Sequence, residues 1–198
     1  MSTKLFIHDV ARRITSTTRR VQRTGVASSA VLRRQFDFRV ERIWTALTDR
    51  EQLRGWFGSV CGDLREGETV MIDVGAPHQI TSRILRCERP HHLIVTWWYG
   101  GFPPNHIDEV ELRLSAKDDE TLLVLEHRSR ATDDWWFGAG SGWEFALIKL
   151  GVLLQGGDPA ALSVEELDQE LGVLWASAGK GRSPNGPHHP PTKSLGHR

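Results

Sequence analysis

The chain has 198 residues, with 25 basic and 25 acidic side chains, 39% hydrophobic residues and two cysteines. That length buries a sizeable core without disulfides or metals, the composition is that of a globular protein, and no apolar run approaches the roughly 20 residues that span a bilayer. The zero net charge conceals an uneven distribution: residues 1–34 carry eight Lys or Arg and one Asp, residues 179–198 carry four and no acid, and the body between them is acidic. An acidic body repels polyphosphate, so nucleic acid is disfavoured as a partner except through the basic arms. Cys61 and Cys87 have neither zinc-knuckle nor CxxC spacing. They read as reduced, buried thiols acting as small hydrophobes in a cytoplasmic protein.

Residues 1–28 form a basic lead-in segment in which Ile7, Val10, Ala11, Ile14 and Val21 fall near one helical face. Such a segment is either an organelle-targeting leader or, the reading adopted, a lead-in helix whose arginines pack on the acidic body. Residues 29–38 alternate as a first strand. Ile43, Trp44 and Leu47 then share one side of a short helix over 41–47, and Thr48-x-x-Glu51 spells a capping box for a second. That second helix presents Leu53, Trp56 and Phe57 and stops at Gly58. Five runs of period two follow, from residues 68, 79, 92, 107 and 120, with KDDE at 117–120 joining the last two as a hairpin. Their short links predict an antiparallel meander, because a parallel pair needs a long crossover.

Over residues 140–157 the period changes. Trp143, Ala146, Leu147, Leu150 and Leu154 make one helical face, while Phe145, Ile148 and Val152 make the other sides apolar too. A helix apolar nearly all round is buried nearly all round. The prediction is an α+β domain over 29–157: a curved antiparallel β-sheet wrapped around a long C-terminal α-helix, with two short helices between strands 1 and 2 closing one end. Ser163-x-x-Glu166 caps an accessory helix within 158–178 that carries Leu167, Leu171, Leu174 and Trp175 and packs outside the main core. The Pro-, Gly-, Ser- and His-rich stretch 179–198 reads as a disordered tail.

Five stretches, in this order and spacing, carry a resemblance: VERIWTALTDREQLRGWF from Val40 to Phe57, GDLREG from Gly62 to Gly67, ILRCERPHHLIVTW from Ile84 to Trp97, EVELRLSAKDDETLLVLEH from Glu109 to His127, and GWEFALIKL from Gly142 to Leu150. Over about residues 30–157 the chain resembles the START-like (SRPBCC) superfamily, and within it the family named for homology to an activator of a heat-shock protein ATPase. The resemblance implies a helix-grip fold with an apolar cavity between sheet and long helix. Two places depart from the family pattern. Arg39 stands where a proline commonly precedes the first helix, and RATDDWWFGAG over 130–140 is short and aromatic where the family varies most, so access to the cavity does not transfer. Chaperone stimulation goes, in relatives that have it, with a second separate domain, which 198 residues are not expected to supply.

Candidate functional residues follow from the strand and helix faces. Trp44, Trp56 and Phe57 fill one end of the sheet's concave face, either as core or as the lining of a cavity mouth. Trp97 and Tyr99 share one face of their strand and Trp98 takes the other; the Tyr99 hydroxyl is placed to orient a ligand. Trp135, Trp136 and Phe137 follow two aspartates in a loop, as a lid over the cavity or a plug. His127 shares the inward face of its strand with Leu123 and Leu125, as a hydrogen-bonded core histidine or a ligand-orienting group. Glu109 and Glu111 lie on the opposite face from Val110, Leu112 and Leu114, a solvated sheet surface. His78, His91, His92 and His106 lack metal-ligand spacing, and no GxSxG, Walker or dinucleotide fingerprint occurs; no metal or cofactor is expected.

The reading is a domain that binds a small apolar ligand between sheet and helix rather than an enzyme. Its candidate ligand-binding residues are Trp44, Trp56, Phe57, Trp97, Tyr99, His127, Trp136, Trp143 and Leu147. Two other classes stay open: a cyclase- or hydrolase-type enzyme on a hydrophobic substrate, with His127 or a pocket glutamate as general acid or base, and a protein-interaction or co-chaperone-like module acting through the basic arms or the aromatic loop. The sequence names no ligand, reaction or oligomeric state.

Overall fold

Alternating apolar and polar residues build eight strands: β1 Thr17–Thr24, β2 Ala27–Phe36, β3 Ser59–Cys61, β4 Thr69–Asp73, β5 Ile80–Glu88, β6 His92–Tyr99, β7 Asp108–Lys117 and β8 Glu120–Ser129. They form one antiparallel sheet in the order β1-β2-β8-β7-β6-β5-β4-β3. The computed structural model describes residues 16–75, 79–100, 107–130 and 135–179, and only the backbone of 136, 137 and 164–166. Helices α1 (Val40–Thr48) and α2 (Arg50–Trp56) carry the chain from β2 to the far edge strand β3, and the meander β3 to β8 returns to close beside β2. Register aligns the inner face in rows, Leu32 with Leu125 with Leu112 with Leu93, and Ala30 with His127 with Val110 with Val95.

Helix α3 (Trp135–Leu154) lies on that concave face. Leu147, Leu150 and Leu154 join Leu32, Leu123 and Leu125 in the main core. Ile148 and Val152, on the opposite side, pack instead with Leu162, Leu167 and Leu171, which belong to a segment made of a 3₁₀ turn at Pro159–Ala161 and helix α4 (Val164–Gly179). The all-round apolarity of α3 thus has two causes, the sheet beneath it and α4 above it. Trp175 of α4 is completely buried and belongs to the main core, so the accessory helix is not wholly outside that core as its sequence suggested. Gly140 is the reason: a Cβ there would stand 2.4 Å from the Trp175 ring, and without one the indole lies directly on α3.

One buried ion pair fastens these layers. Glu144 of α3 is 0% exposed. Arg19, on the inward side of β1, donates to it from Nε at 2.6 Å and again from Nη2, and Trp175 Nε1 donates at 3.0 Å. Strand, long helix and accessory helix therefore meet at a single carboxylate.

The outer face of the sheet is charged. Arg128 bridges Glu109 and Glu126 at 3.0 and 2.9 Å, Arg113 reaches Glu111 at 3.0 Å and Glu126 at 3.6 Å, and His92 Nε2 meets Glu111 at 2.6 Å. Glu109 and Glu111 lie there as expected. Burial pulls the Glu126 pKa upward, but the Ser29 hydroxyl, Arg128 and Arg113 outweigh it and hold the carboxyl below its usual range.

Several local expectations are corrected. Residues 17–24 form an edge strand, not part of a lead-in helix, because Thr17, Arg19 and Val21 face inward in alternation with Thr18 and Arg20; residues 1–15 and the tail beyond 179 lie outside the described residues. The second helix is capped by Asp49, whose side chain accepts from the Gln52 N–H at 3.0 Å. Thr48 instead spends its hydroxyl on the Trp44 carbonyl. Arg39 holds φ −63°, the value a proline would fix. Strand β3, three residues long, is too short to show a period. Trp135, Trp136 and Phe137 are the first turn of α3 rather than a loop. Cys61 is exposed and Cys87 half-buried, since the former lies on an edge strand. No helix among the described residues is long and apolar enough to cross a membrane.

Two measurements test this framework. Glu144→Ala strands the Arg19 charge and the Trp175 N–H, so it should cost about 3 kcal/mol or more in urea unfolding, read as a lower midpoint with an unchanged slope. For Glu126 the folded pKa is depressed, so its stabilisation is present above the unfolded carboxyl value of about 4.3 and disappears as pH falls through the folded one. Glu126→Gln should therefore be less stable than wild type near neutrality, and the two urea midpoints should draw together as the pH falls below the unfolded carboxyl value and through the depressed folded one.

Candidate ligand-binding site

The end of α2 presents two adjacent rings. Trp56 is buried and its Nε1 donates to the Ala46 carbonyl at 2.9 Å, which fixes the indole. Phe57 follows at the helix end, and Gly58 lets strand β4 come against the chain there: a Cβ on it would sit 2.3 Å from the Asp73 carbonyl oxygen. Opposite stand Trp97 of β6 and Trp143 of α3. Phe57 stacks on Trp143 at 5.7 Å and 10°, Trp97 meets Trp143 at 4.9 Å, and Phe57 lies 6.2 Å from Trp97.

These four aromatic side chains line two neighbouring hollows between sheet and helices. The inner one, about 90 Å³, is bounded by Leu47 and Leu53 of the short helices and by Val70, Ile84, Val95 and Leu112 of the strands. Its few polar groups are spent. Thr48 and Ser82 donate their hydroxyls to backbone carbonyls, and burial pushes the Cys87 thiol above its usual range, leaving it a neutral hydrophobe. A cavity of this kind stays dry.

The outer hollow is larger, about 440 Å³, and lies between Val74, Ile80, Trp97 and Tyr99 of the sheet side and one side of α3. Its helix wall is cut low by sequence: Gly138, Ala139, Gly142 and Ala146 line it. At Gly138 and Gly142 an added Cβ would meet nothing within 4 Å. Phe145 and Lys149, one turn apart, complete that wall, with the Lys149 Nζ 5.8 Å from the Phe145 ring centre. Lys149 is half-buried, and burial holds its ammonium below the usual lysine range.

His127 stands behind this wall. It is 2% exposed; its Nδ1 accepts from Trp143 Nε1 at 3.0 Å, which leaves Nε2 to donate to Asp108 Oδ2 at 3.1 Å. Trp97 and Trp135 pack edge-on to the imidazole. Both ring nitrogens are thus engaged, and His127 lines neither hollow. Its effect on the site passes through Trp143.

Of the sequence-predicted set, Trp56, Phe57, Trp97, Tyr99 and Trp143 line a hollow, with Tyr99 at its 39%-exposed rim. Trp44 and Leu147 are core residues away from both hollows: Trp44 stands a turn before Leu47 and Thr48, which line the inner one, and Leu147 lies between Ala146 and Lys149 but packs in the main core. The Trp136 side chain lies outside the described residues. Sequence reasoning passed over Lys149, Gly138 and Gly142. The signals were present: Lys149 is the single cation of a twenty-residue helix, and the two glycines stand four apart. His91 and His92 are occupied by the Leu114 carbonyl and Glu111; His78 and His106 lie outside the described residues. Among those residues no group of three His, Cys, Asp or Glu side chains is arranged to hold a metal ion.

A curved antiparallel sheet gripping a long helix, with a hollow between them, is the helix-grip arrangement of START-type, or SRPBCC, domains. The chain belongs to the family of activator of Hsp90 ATPase homolog 1-like proteins, which matches it over residues 37–155. It is similar to CalU16 from Micromonospora echinospora, with 34% identity and a TM-score of 0.68 to the crystal structure, over 82% of this chain and 97% of that one. The solution structure of CalU16 gives 34% identity and a TM-score of 0.67 over 82% and 94%. MLL2253 from Mesorhizobium loti shares the fold at 23% identity and a TM-score of 0.60, over 66% of this chain and 98% of that one. No curated protein matches the chain.

The pairing behind the wall can be tested by deletion. His127→Leu removes the acceptor of the Trp143 N–H and the donor to Asp108. It should cost about 1–3 kcal/mol in urea unfolding, whereas Trp143→Phe in the same background should add little further loss, since the hydrogen bond is already gone.

Proposed function

We propose that this domain binds a small, mostly apolar ligand in the outer hollow between the curved sheet and α3. One observation carries the reading: along the hollow α3 presents two exposed glycines and two alanines beside Trp143, across from Trp56, Phe57 and Trp97. Elsewhere on α3 the side chains interlock with their neighbours. Aromatic faces supply large apolar area with little rotamer entropy to lose, and a hollow of this volume suits a drug-sized or smaller molecule. Tyr99 at the rim is the polar group best placed to orient the guest.

The enzyme reading rested on His127 or a pocket glutamate; both His127 nitrogens are committed within the protein and no glutamate among the described residues lines either hollow, which favours binding over catalysis. The interaction-module reading rested partly on an aromatic loop. Trp135 instead turns inward, its Nε1 donating to Ser28 Oγ at 2.9 Å. The two free thiols agree with a reducing, cytoplasmic setting for the domain.

Gly142→Leu is the direct test. Its Cβ has open space, and leucine is the better helix former by up to about 1 kcal/mol, so the variant should fold at least as stably as wild type. Its side chain would occupy the hollow. Wild type should bind methyl 2-naphthoate saturably, read by quenching of tryptophan emission, and Gly142→Leu should bind it at least about tenfold more weakly, a loss of roughly 1.4 kcal/mol. Failure of wild type to bind either this ester or methyl decanoate would sink the proposal.

A further inference from the structure

The polar groups on the outer hollow's walls are unbalanced. Trp56 Nε1 and Trp143 Nε1 are used, on the Ala46 carbonyl and on His127. Trp97 is 5% exposed, and its Nε1 is buried with no hydrogen-bond acceptor among the described residues. A buried donor left in that condition costs about 1–3 kcal/mol relative to a satisfied one. Lys149 brings a full positive charge to the same walls. Among the described residues no carboxylate lies within ion-pair distance of it, and no Asp or Glu lines the hollow. The other charge on α3, Glu144, has Arg19 and Trp175 as partners. Lys149 is the exception, a half-buried cation whose Nζ lies 5.8 Å over the ring of Phe145.

A half-buried ammonium without a counter-ion is costly, and burial already biases it toward losing its proton. A bound anion would reverse both effects. The charge to be matched is single, because one ammonium stands alone in an apolar surround. A divalent phosphate would carry an uncompensated charge into the hollow; a monovalent carboxylate would not.

We propose that the ligand of the outer hollow is an amphipathic carboxylic acid, its apolar body against the Trp56, Phe57, Trp97 and Trp143 rings and its carboxylate held by Lys149. This rests on the binding role argued above and adds the chemical class of the guest.

The acid and its methyl ester separate the two readings. With 2-naphthoate and methyl 2-naphthoate as matched probes, wild type should bind the acid at least about tenfold more tightly than the ester, as a charge-assisted hydrogen bond shielded from water allows. Lys149→Met keeps the apolar stem, so it should lose that preference while holding the ester affinity within about twofold. Lys149→Arg should retain the preference, and ester binding in each variant certifies that its hollow is intact. Equal binding of acid and ester by wild type, or a preference that survives Lys149→Met, overturns the carboxylate assignment and leaves the apolar-ligand reading standing. If neither probe binds wild type, both readings fall together.

Discussion

Helix α3 carries apolar side chains on every side, and such a helix is stable only where two separate surfaces take them up. The sheet takes Leu147, Leu150 and Leu154, and α4 with its preceding turn takes Ile148 and Val152. Burying a side chain of this size is worth about 1.5–3 kcal/mol in area terms, so these five residues alone outweigh any single polar contact in the structure. The position of α3 is therefore not adjustable. Whatever space remains between it and the sheet is set by the residues along its edge, and Gly138, Ala139, Gly142 and Ala146 there are small.

Glu144 and Lys149 show how one helix handles charge in two ways. Burial of an ion pair is poor evidence of stability, since a well-packed apolar replacement often does as well. Arg19 and the Trp175 N–H, both on the Glu144 carboxylate, do, however, specify which strand and which helix flank α3. Edge strand β1 would otherwise be placed by its backbone hydrogen bonds to β2 and the packing of Val21 on the core, and an unguarded edge invites pairing with other chains. Lys149, five residues on, has no such function in the fold. Its retention amid apolar walls is understandable if its charge is answered from outside the chain.

The fold was legible wherever one physical period ran long enough. Strands with an apolar buried row, such as β7 and β8, declared themselves, and so did the continuous apolarity of α3, whereas β1, whose inward row is Thr17, Arg19 and Val21, did not. What sequence could not separate was which apolar residues pack and which line space. Trp44 and Trp56 look alike in the chain, yet the former lies wholly in the core and the latter faces the hollow. The difference is set by the neighbours each meets across the fold, which no local window contains. Trp135 to Phe137 were misplaced for a related reason: aromatic residues after two aspartates resemble a loop, and only the tertiary burial of Trp135 against Ser28 and His127 makes helix the better state. His127 was correctly placed inward, but its partners Trp143 and Asp108 come from two other elements and were invisible.

The glycines of α3 settle which part of the site is built and which is incidental. Each costs about 1 kcal/mol of helix propensity relative to alanine, so each calls for a reason. At Gly140 the reason is contact, since a Cβ would strike the Trp175 ring at 2.4 Å, and at Gly151 it is the nearby Arg34 guanidinium, 3.2 Å from where a Cβ would sit. Gly138 and Gly142 have no such excuse, because the space above them is open for 4 Å. An alanine methyl would meet no neighbour at either exposed position, but it would raise helix stability. The arrangement that makes sense of their presence is one in which the open space beside them is useful, bounded as it is by the rings of Trp56, Phe57, Trp97 and Trp143 and by Lys149.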